Sequence, residues 1–265
     1  MSKITANGIE FYYEIHGDGE PVVLLEGLGY SSWMWYKQVD ELKKHFKVII
    51  FDNRGVGQTD KPDTEYSIEL FADDTAEVLS ALNIDRSHVL GVSMGGFIAQ
   101  EFALKYPKMV NKLLLCSTSF GGPHSIPIPQ ETLAIMLKGG GTYNSIAEIK
   151  QAISTALAEE SLDQHQDIID KIMEEKMNNP QPKYAYQRQL MAGASFNAEE
   201  RVQQIKAETL ILAGKGDRVV PYKNSELLAS KLQNSRVELI ENGGHVFFME
   251  QTEATNRTII EFLLS

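Results

Sequence analysis

The stretch Val89-Leu90-Gly91-Val92-Ser93-Met94-Gly95-Gly96-Phe97 constrains this chain more than any other. An apolar run enters a Gly-x-Ser-x-Gly pattern and an amphipathic stretch leaves it, so a strand must end, reverse sharply and continue as a helix. Gly91 and Gly95 lack the Cβ atoms that would collide where strand and helix approach closely. Ser93 is left at the apex with strained dihedrals, at a helix N-terminus whose unpaired amides favour a developing oxyanion. A glycine-rich turn whose serine merely caps the helix shows the same pattern, so the rest of the chain decides its meaning.

The flanking sequence alternates strand and helix. Asn7-Gly8 separates two short alternating segments, 3–6 and 9–16, and predicts a hairpin, because both turn positions tolerate positive φ. Continuous apolar runs at 22–25, 46–52, 88–92 and 110–116 read as strands buried on both faces. Helices are expected at about 31–45, 68–82 and 94–106. This order argues a mostly parallel sheet with helices on both faces, an α/β architecture.

After Ser119 the pattern changes. Residues 120–196 hold no convincing strand and open on Gly121-Gly122-Pro123, Pro127, Pro129 and the glycines at 139–141. Helical stretches follow at about 146–157, 163–177 and 183–194. We read 120–196 as a helical cap inserted into a core made of 1–119 and 197–265. Its methionines, Met136, Met173, Met177 and Met191, suit an apolar lining, with core filling expected for most of them. The strand pattern resumes at 209–213 and 237–240, with helices at 224–232 and 247–264.

Composition narrows the function classes. A net charge of −11 with no basic run argues against nucleic acid as a partner. The single cysteine, Cys116, excludes an internal disulfide. No secretion signal or membrane-length apolar run is seen, so the expectation is a cytoplasmic protein without a membrane partner.

Serine needs a base to take its proton and a third group to fix that base. In a parallel sheet the partners belong on loops at the carboxyl ends of the strands. Asp217, in Gly214-Lys215-Gly216-Asp217, and His245, in Gly243-Gly244-His245, each follow a late strand. The chain order Ser93, Asp217, His245 is the one that accompanies a Gly-x-Ser-x-Gly elbow. Alone, an aspartate after Gly-x-Gly is a turn residue and a histidine after Gly-Gly a capping or surface group; the coincidence with three strand ends is what counts. His16, His45, His88 and His165 are poorly placed as bases, whereas His124 remains a candidate for the pocket wall. The backbone amides of Leu28, in the turn after 22–25, and of Met94 are expected to hold an oxyanion above Ser93. One such donor is worth about 3 kcal/mol.

These segments, with Glu26-Gly27-Leu28-Gly29 and Asp52-Asn53-Arg54-Gly55-Val56-Gly57, resemble the capped, serine-nucleophile branch of the α/β-hydrolase superfamily. Carboxylesterases, enol-lactonases, meta-cleavage C–C hydrolases and cofactor-free perhydrolases share these features. The resemblance covers nearly the whole chain and is weakest in the cap. It implies Ser93 as nucleophile, Asp217 as acid, His245 as base, and Leu28 and Met94 as oxyanion donors. A serine at position 93 disfavours the aspartate-nucleophile branches.

One departure stands out: Glu26-Gly27 replaces the family's usual His-Gly. A full charge about 6 Å from an oxyanion, at an effective dielectric of about 20, would repel it by roughly 3 kcal/mol. Glu26 is therefore expected to be turned away, protonated or paired, with Arg54 as the expected partner. Arg188 is a candidate cation for a substrate carboxylate, and otherwise packs the last cap helix against the body. Trp33, Trp35 and the cap methionines are expected to shape a moderate apolar pocket. The expected activity is carboxylic-ester hydrolysis of a small substrate without metal or cofactor. A lactone or C–C hydrolase, or a small-ligand signalling receptor on the same fold, are the rivals.

Overall fold

The computed structural model describes residues 2–139 and 145–265. Asn7 and Gly8 adopt φ of 42° and 79°, which lets β1 (Ser2–Ala6) fold back on β2 (Ile9–His16) as an antiparallel hairpin. The six remaining strands run parallel: β3 (Glu20–Leu25), β4 (Phe46–Phe51), β5 (Ser87–Val92), β6 (Val110–Cys116), β7 (Glu208–Gly214) and β8 (Ser235–Ile240). The sheet order is β1-β2-β4-β3-β5-β6-β7-β8, with β2 antiparallel to β4. This is the mostly parallel α/β sheet that the apolar runs predict.

Alternation within the central strands feeds two cores. Val23, Val89, Leu113 and Ile211 face α2 (Ile68–Ala81) and α3 (Met94–Lys105), against Phe71, Leu79, Ile98 and Phe102. Val22, Leu24, Leu90, Leu114 and Leu210 face the other way, against Trp35, Phe247, Ile259 and Phe262. Ser67 begins α2 by accepting the Leu70 amide at 3.1 Å, an N-cap bond that satisfies one orphan donor.

Two expected helices are broken. Residues 31–45 form a 3₁₀ turn (Ser32–Trp35) and the single-turn α1 (Val39–Leu42). Tertiary bonds hold this stretch instead: Asp52 Oδ1 accepts the Ser32 amide, Gln38 Nε2 donates to the Phe248 carbonyl, and Trp35 lies against Phe248. The C-terminal helix divides at Gln251 (φ −113°, ψ 50°) into α9 (Phe247–Glu250) and α10 (Thr252–Leu264).

Between β6 and β7 lie α4 (Gln130–Gly139), α5 (Ile146–Ser154), a 3₁₀ turn (Glu159–Gln164), α6 (Gln166–Asn178) and α7 (Lys183–Ser195). The sequence reading lacks α4, and the glycine run 139–141 falls outside the described residues beyond the backbone of Gly139. Chain exit and return meet where Gly121 pairs with Asn197 and the Ala198 amide reaches the Phe120 carbonyl at 2.9 Å. Gly121 is needed there: its φ is +67° and a Cβ would sit 2.2 Å from the Phe196 carbonyl oxygen. Helix α8 (Lys223–Lys231) precedes β8. Among the described residues no helix is long and apolar enough to cross a membrane.

Candidate active site

Four loops meet at the carboxyl edge of the sheet, after β3, β5, β7 and β8, where open α/β sheets place their ligands. The loop after β5 is a sharp elbow. Ser93 has φ 57° and ψ −119° immediately before α3, a left-handed-side conformation that a side chain adopts only under constraint. The constraints are visible. Added Cβ atoms would lie 2.1 Å from the Gly95 carbonyl oxygen at Gly91 and 2.1 Å from the Leu25 carbonyl oxygen at Gly95. The Ser93 amide donates to the Cys116 carbonyl, and Thr118 Oγ1 donates to the Ser93 carbonyl, both at 2.9 Å. Gln100 Nε2 joins the Gly96 and Ser119 carbonyls one turn later. Thr118 and Gln100 are thus supports that the motif does not reveal.

Asp217 and His245 arrive from the ends of β7 and β8. His245 Nδ1 and Asp217 Oδ2 are hydrogen-bonded at 2.9 Å, with the aspartate side chain wholly buried. The other oxygen, Oδ1, accepts the Val219 and Val220 amides, each at 2.8 Å, which fixes the carboxylate plane. The histidine loop has its own brace: Glu250 Oε2 accepts the Gly244 amide at 2.7 Å, and Oε1 accepts the Ala158 amide at 2.8 Å. Burial pushes the Glu250 carboxyl upward. Ser93 and His245 line the same cavity without a direct hydrogen bond between them among the described residues. Contacts of this kind are commonly loose in empty sites and tighten around substrate.

Two cavities, of about 100 Å³ and 250 Å³, share Ser93, Leu28, Met136 and Val219. They form two arms on either side of the serine. The amides of Leu28 and Met94 find no hydrogen-bond partner among the described residues, so two donors remain available beside it. Helix α7 holds the first loop: Gln189 accepts the Gly29 amide at 3.2 Å and donates to the Arg54 carbonyl at 3.0 Å.

Glu26 is fully buried under this loop. The expected pairing with Arg54 is not formed. Arg54 Nε and Nη2 bind Asp74 on α2 at 2.7 and 2.6 Å, and Asn7 adds a third bond to Asp74. That planar two-bond match turns the guanidinium to Asp74, and no Arg54–Glu26 bond forms among the described residues. Glu26 Oε1 instead accepts the Asn53 amide, while Oε2 and the neighbouring Asn53 Oδ1 are buried without partners. Burial first, and the Asp52 charge second, push the Glu26 carboxyl well above the usual range. Burial thus favours its neutral form, which eases the repulsion without a cation.

The aromatic expectation also needs correction. Trp33 lies against Tyr30, with ring centres 5.3 Å apart, and Trp35 is buried against Phe248. Tyr30, Met34 and Tyr186 line the cavity in their place. The 3₁₀ turn is the reason, since it rotates both tryptophans toward the body. Of the four methionines, Met136 lines both arms, Met173 packs on the core, and Met177 and Met191 are exposed rather than core-filling. His124 binds Glu199 with its ring largely in solvent, and Arg188 pairs with Asp63 at the surface. Lys176, which no motif flags, is the cation that lines the cavity among the described residues. No group of three or more metal-ligating side chains exists among the described residues.

Comparison with known proteins agrees with this construction. A family model described as alpha/beta hydrolase fold matches residues 20–252. The chain is 31% identical over 259 residues to "Putative carbamate hydrolase RutD" of Agrobacterium fabrum, covering 96% of this chain and 98% of that one. It is 29% identical to a 2-hydroxy-6-oxononadienedioate/2-hydroxy-6-oxononatrienedioate hydrolase of Paraburkholderia xenovorans, over 96% and 91% of the two chains. A thermophilic esterase from Thermogutta terrifontis superposes with a TM-score of 0.86 at 27% identity, over 99% and 97%. The chain belongs to the alpha/beta hydrolase family and is a hydrolase.

Proposed function

We propose that this hydrolase is a carboxylesterase that works through a Ser93–His245–Asp217 triad, with residues 120–196 acting as its cap. The observation that carries the reading is the convergence at one cavity of a strained serine, a histidine bound to a buried aspartate, and two unpaired amides. Asp217 accepts from His245 Nδ1–H, which leaves Nε2 as the basic nitrogen facing the cavity. As substrate closes the gap, Nε2 takes the Ser93 proton and Oγ attacks the ester carbonyl. The oxyanion is held by the Leu28 and Met94 amides, which are fixed before the reaction and need no reorganisation. His245 then returns the proton to the departing alcohol, leaving an acyl-serine. Water repeats the sequence with the same base and releases the acid.

The upward push on Glu26 supports this scheme, since a charge there would oppose the oxyanion. Rapid mixing with a para-nitrophenyl ester of a short acid tests the proposal. A first-turnover burst of nitrophenol equal to the enzyme concentration is expected, and Ser93→Ala should abolish it. Turnover of lactones or an aryl carbamate with none of the aryl esters would reassign the substrate class. Tight ligand binding with no turnover of any of them would point to the receptor instead.

A further inference from the structure

The two arms differ in charge. The 250 Å³ arm is lined by Leu28, Phe97, Ile126, Leu190, Phe196 and similar groups, with no ionisable side chain in its wall among the described residues. Among the described residues the other arm holds His245 and one lysine, Lys176 of α6. Its Nζ donates to the Gly29 carbonyl at 3.3 Å and stands 4.8 Å over the Tyr30 ring. No carboxylate lies within ion-pair distance of Lys176 among the described residues; the acid beside it, Glu175, is held by Lys171 at 2.8 Å. Burial with no compensating anion pushes the Lys176 ammonium down to about 8, so it is still mostly charged at neutral pH. A partly buried cation without a counter-ion is a standing cost that an arriving anion removes.

We propose that Lys176 is a specificity residue, and that the site takes esters carrying a carboxylate, with the acid group against Lys176 and the apolar group in the uncharged arm. This rests on the reading of Ser93 as an ester-cleaving nucleophile. A single carbonyl and an aromatic face do not satisfy three ammonium donors, whereas a carboxylate accepts from them with charge. The simpler role, that Lys176 only holds the oxyanion loop through Gly29, affects all esters alike. The two roles therefore separate by substrate.

The test is the ratio of kcat/KM between an acidic ester and its neutral methyl ester. Mono-para-nitrophenyl glutarate places the acid in the acyl half, and para-acetoxybenzoate places it in the alcohol half. The wild type is expected to favour the acid in one of these pairs. Lys176→Met should lower that ratio about 10- to 100-fold, mainly through KM, and Lys176→Arg should restore most of it. A ratio unchanged by Lys176→Met, with both esters slowed alike, overturns the proposal and leaves a loop brace. No preference for the acid in either pair overturns it as well. Calorimetry on the Ser93→Ala protein with glutarate and para-hydroxybenzoate separates this claim from the esterase reading. If no ester is cleaved, weaker binding of either anion after adding Lys176→Met still supports the anion site, and equal binding of both refutes it.

Discussion

The sheet edge and the helical segment over it build the same cavity by different means. At the sheet edge each functional group is over-determined. Ser93 is held by its neighbours' missing Cβ atoms, by Cys116 and by Thr118; Asp217 is held by two amides and His245. Among the described residues the helical segment contributes walls and one cation through sparser contacts, chiefly Gln189 and Lys176 on Gly29 in the loop after β3. On the proposed function, the difference separates reactivity, held in the rigid strand ends, from substrate choice, left to the segment above them.

Two ion pairs give the sharpest version of this contrast. Arg54–Asp74, in the body, has side chains 6% and 1% exposed; Arg188–Asp63, reaching from α7 to the body, has 40% and 64%. The same residue types are structural necessity in one place and near-neutral in the other.

The largest effect should come from the strand ends. Asp217→Asn should lower kcat about 10,000-fold, because the amide favours the wrong imidazole tautomer; a loss under tenfold in steady-state assays breaks the contrast. Next, Arg54→Met leaves Asp74 buried without its counter-ion, and should reduce unfolding free energy by about 3–5 kcal/mol in urea titration. Arg188→Ala, measured the same way, should change it by less than about 1 kcal/mol. Comparable losses in the two would erase the distinction.

Glu26→Gln tests the raised carboxyl at the boundary. Burial lifts the Glu26 carboxyl in the fold above its ordinary value of 4.5. The stability it confers is therefore complete below 4.5 and is lost as pH rises through the raised folded value. Relative to wild type, Glu26→Gln should gain stability with increasing pH, by up to about 1.4 kcal/mol per pH unit, while keeping most ester turnover. Parallel stability–pH curves would mean that Glu26 is ionised in the fold.

The sequence speaks to these regions unequally. Apolar runs of four to seven residues announce the parallel strands because burial on both faces leaves no other pattern. Asp217 and His245 follow from strand ends and chain order. Arg54's partner was illegible, since Asp74 sits on a helix whose facing direction depends on tertiary packing. Glu26's proton likewise depends on how completely the loop closes over it. Lys176 carries a faint signal: it follows the buried Ile168 and Ile172 at helical spacing, a cation on an apolar stripe. Trp33 failed for a local reason, because the 3₁₀ turn rotates the stretch by a different step than an α-helix.

Active-site labelling addresses the central claim most directly. The protein is treated with a fluorophosphonate, which forms a stable bond only with an activated serine, and the adduct is located by peptide mass analysis. One adduct per chain on the peptide containing Ser93, absent from Ser93→Ala, is the predicted result. Undiminished labelling of Ser93→Ala would place the nucleophile elsewhere and contradict the account.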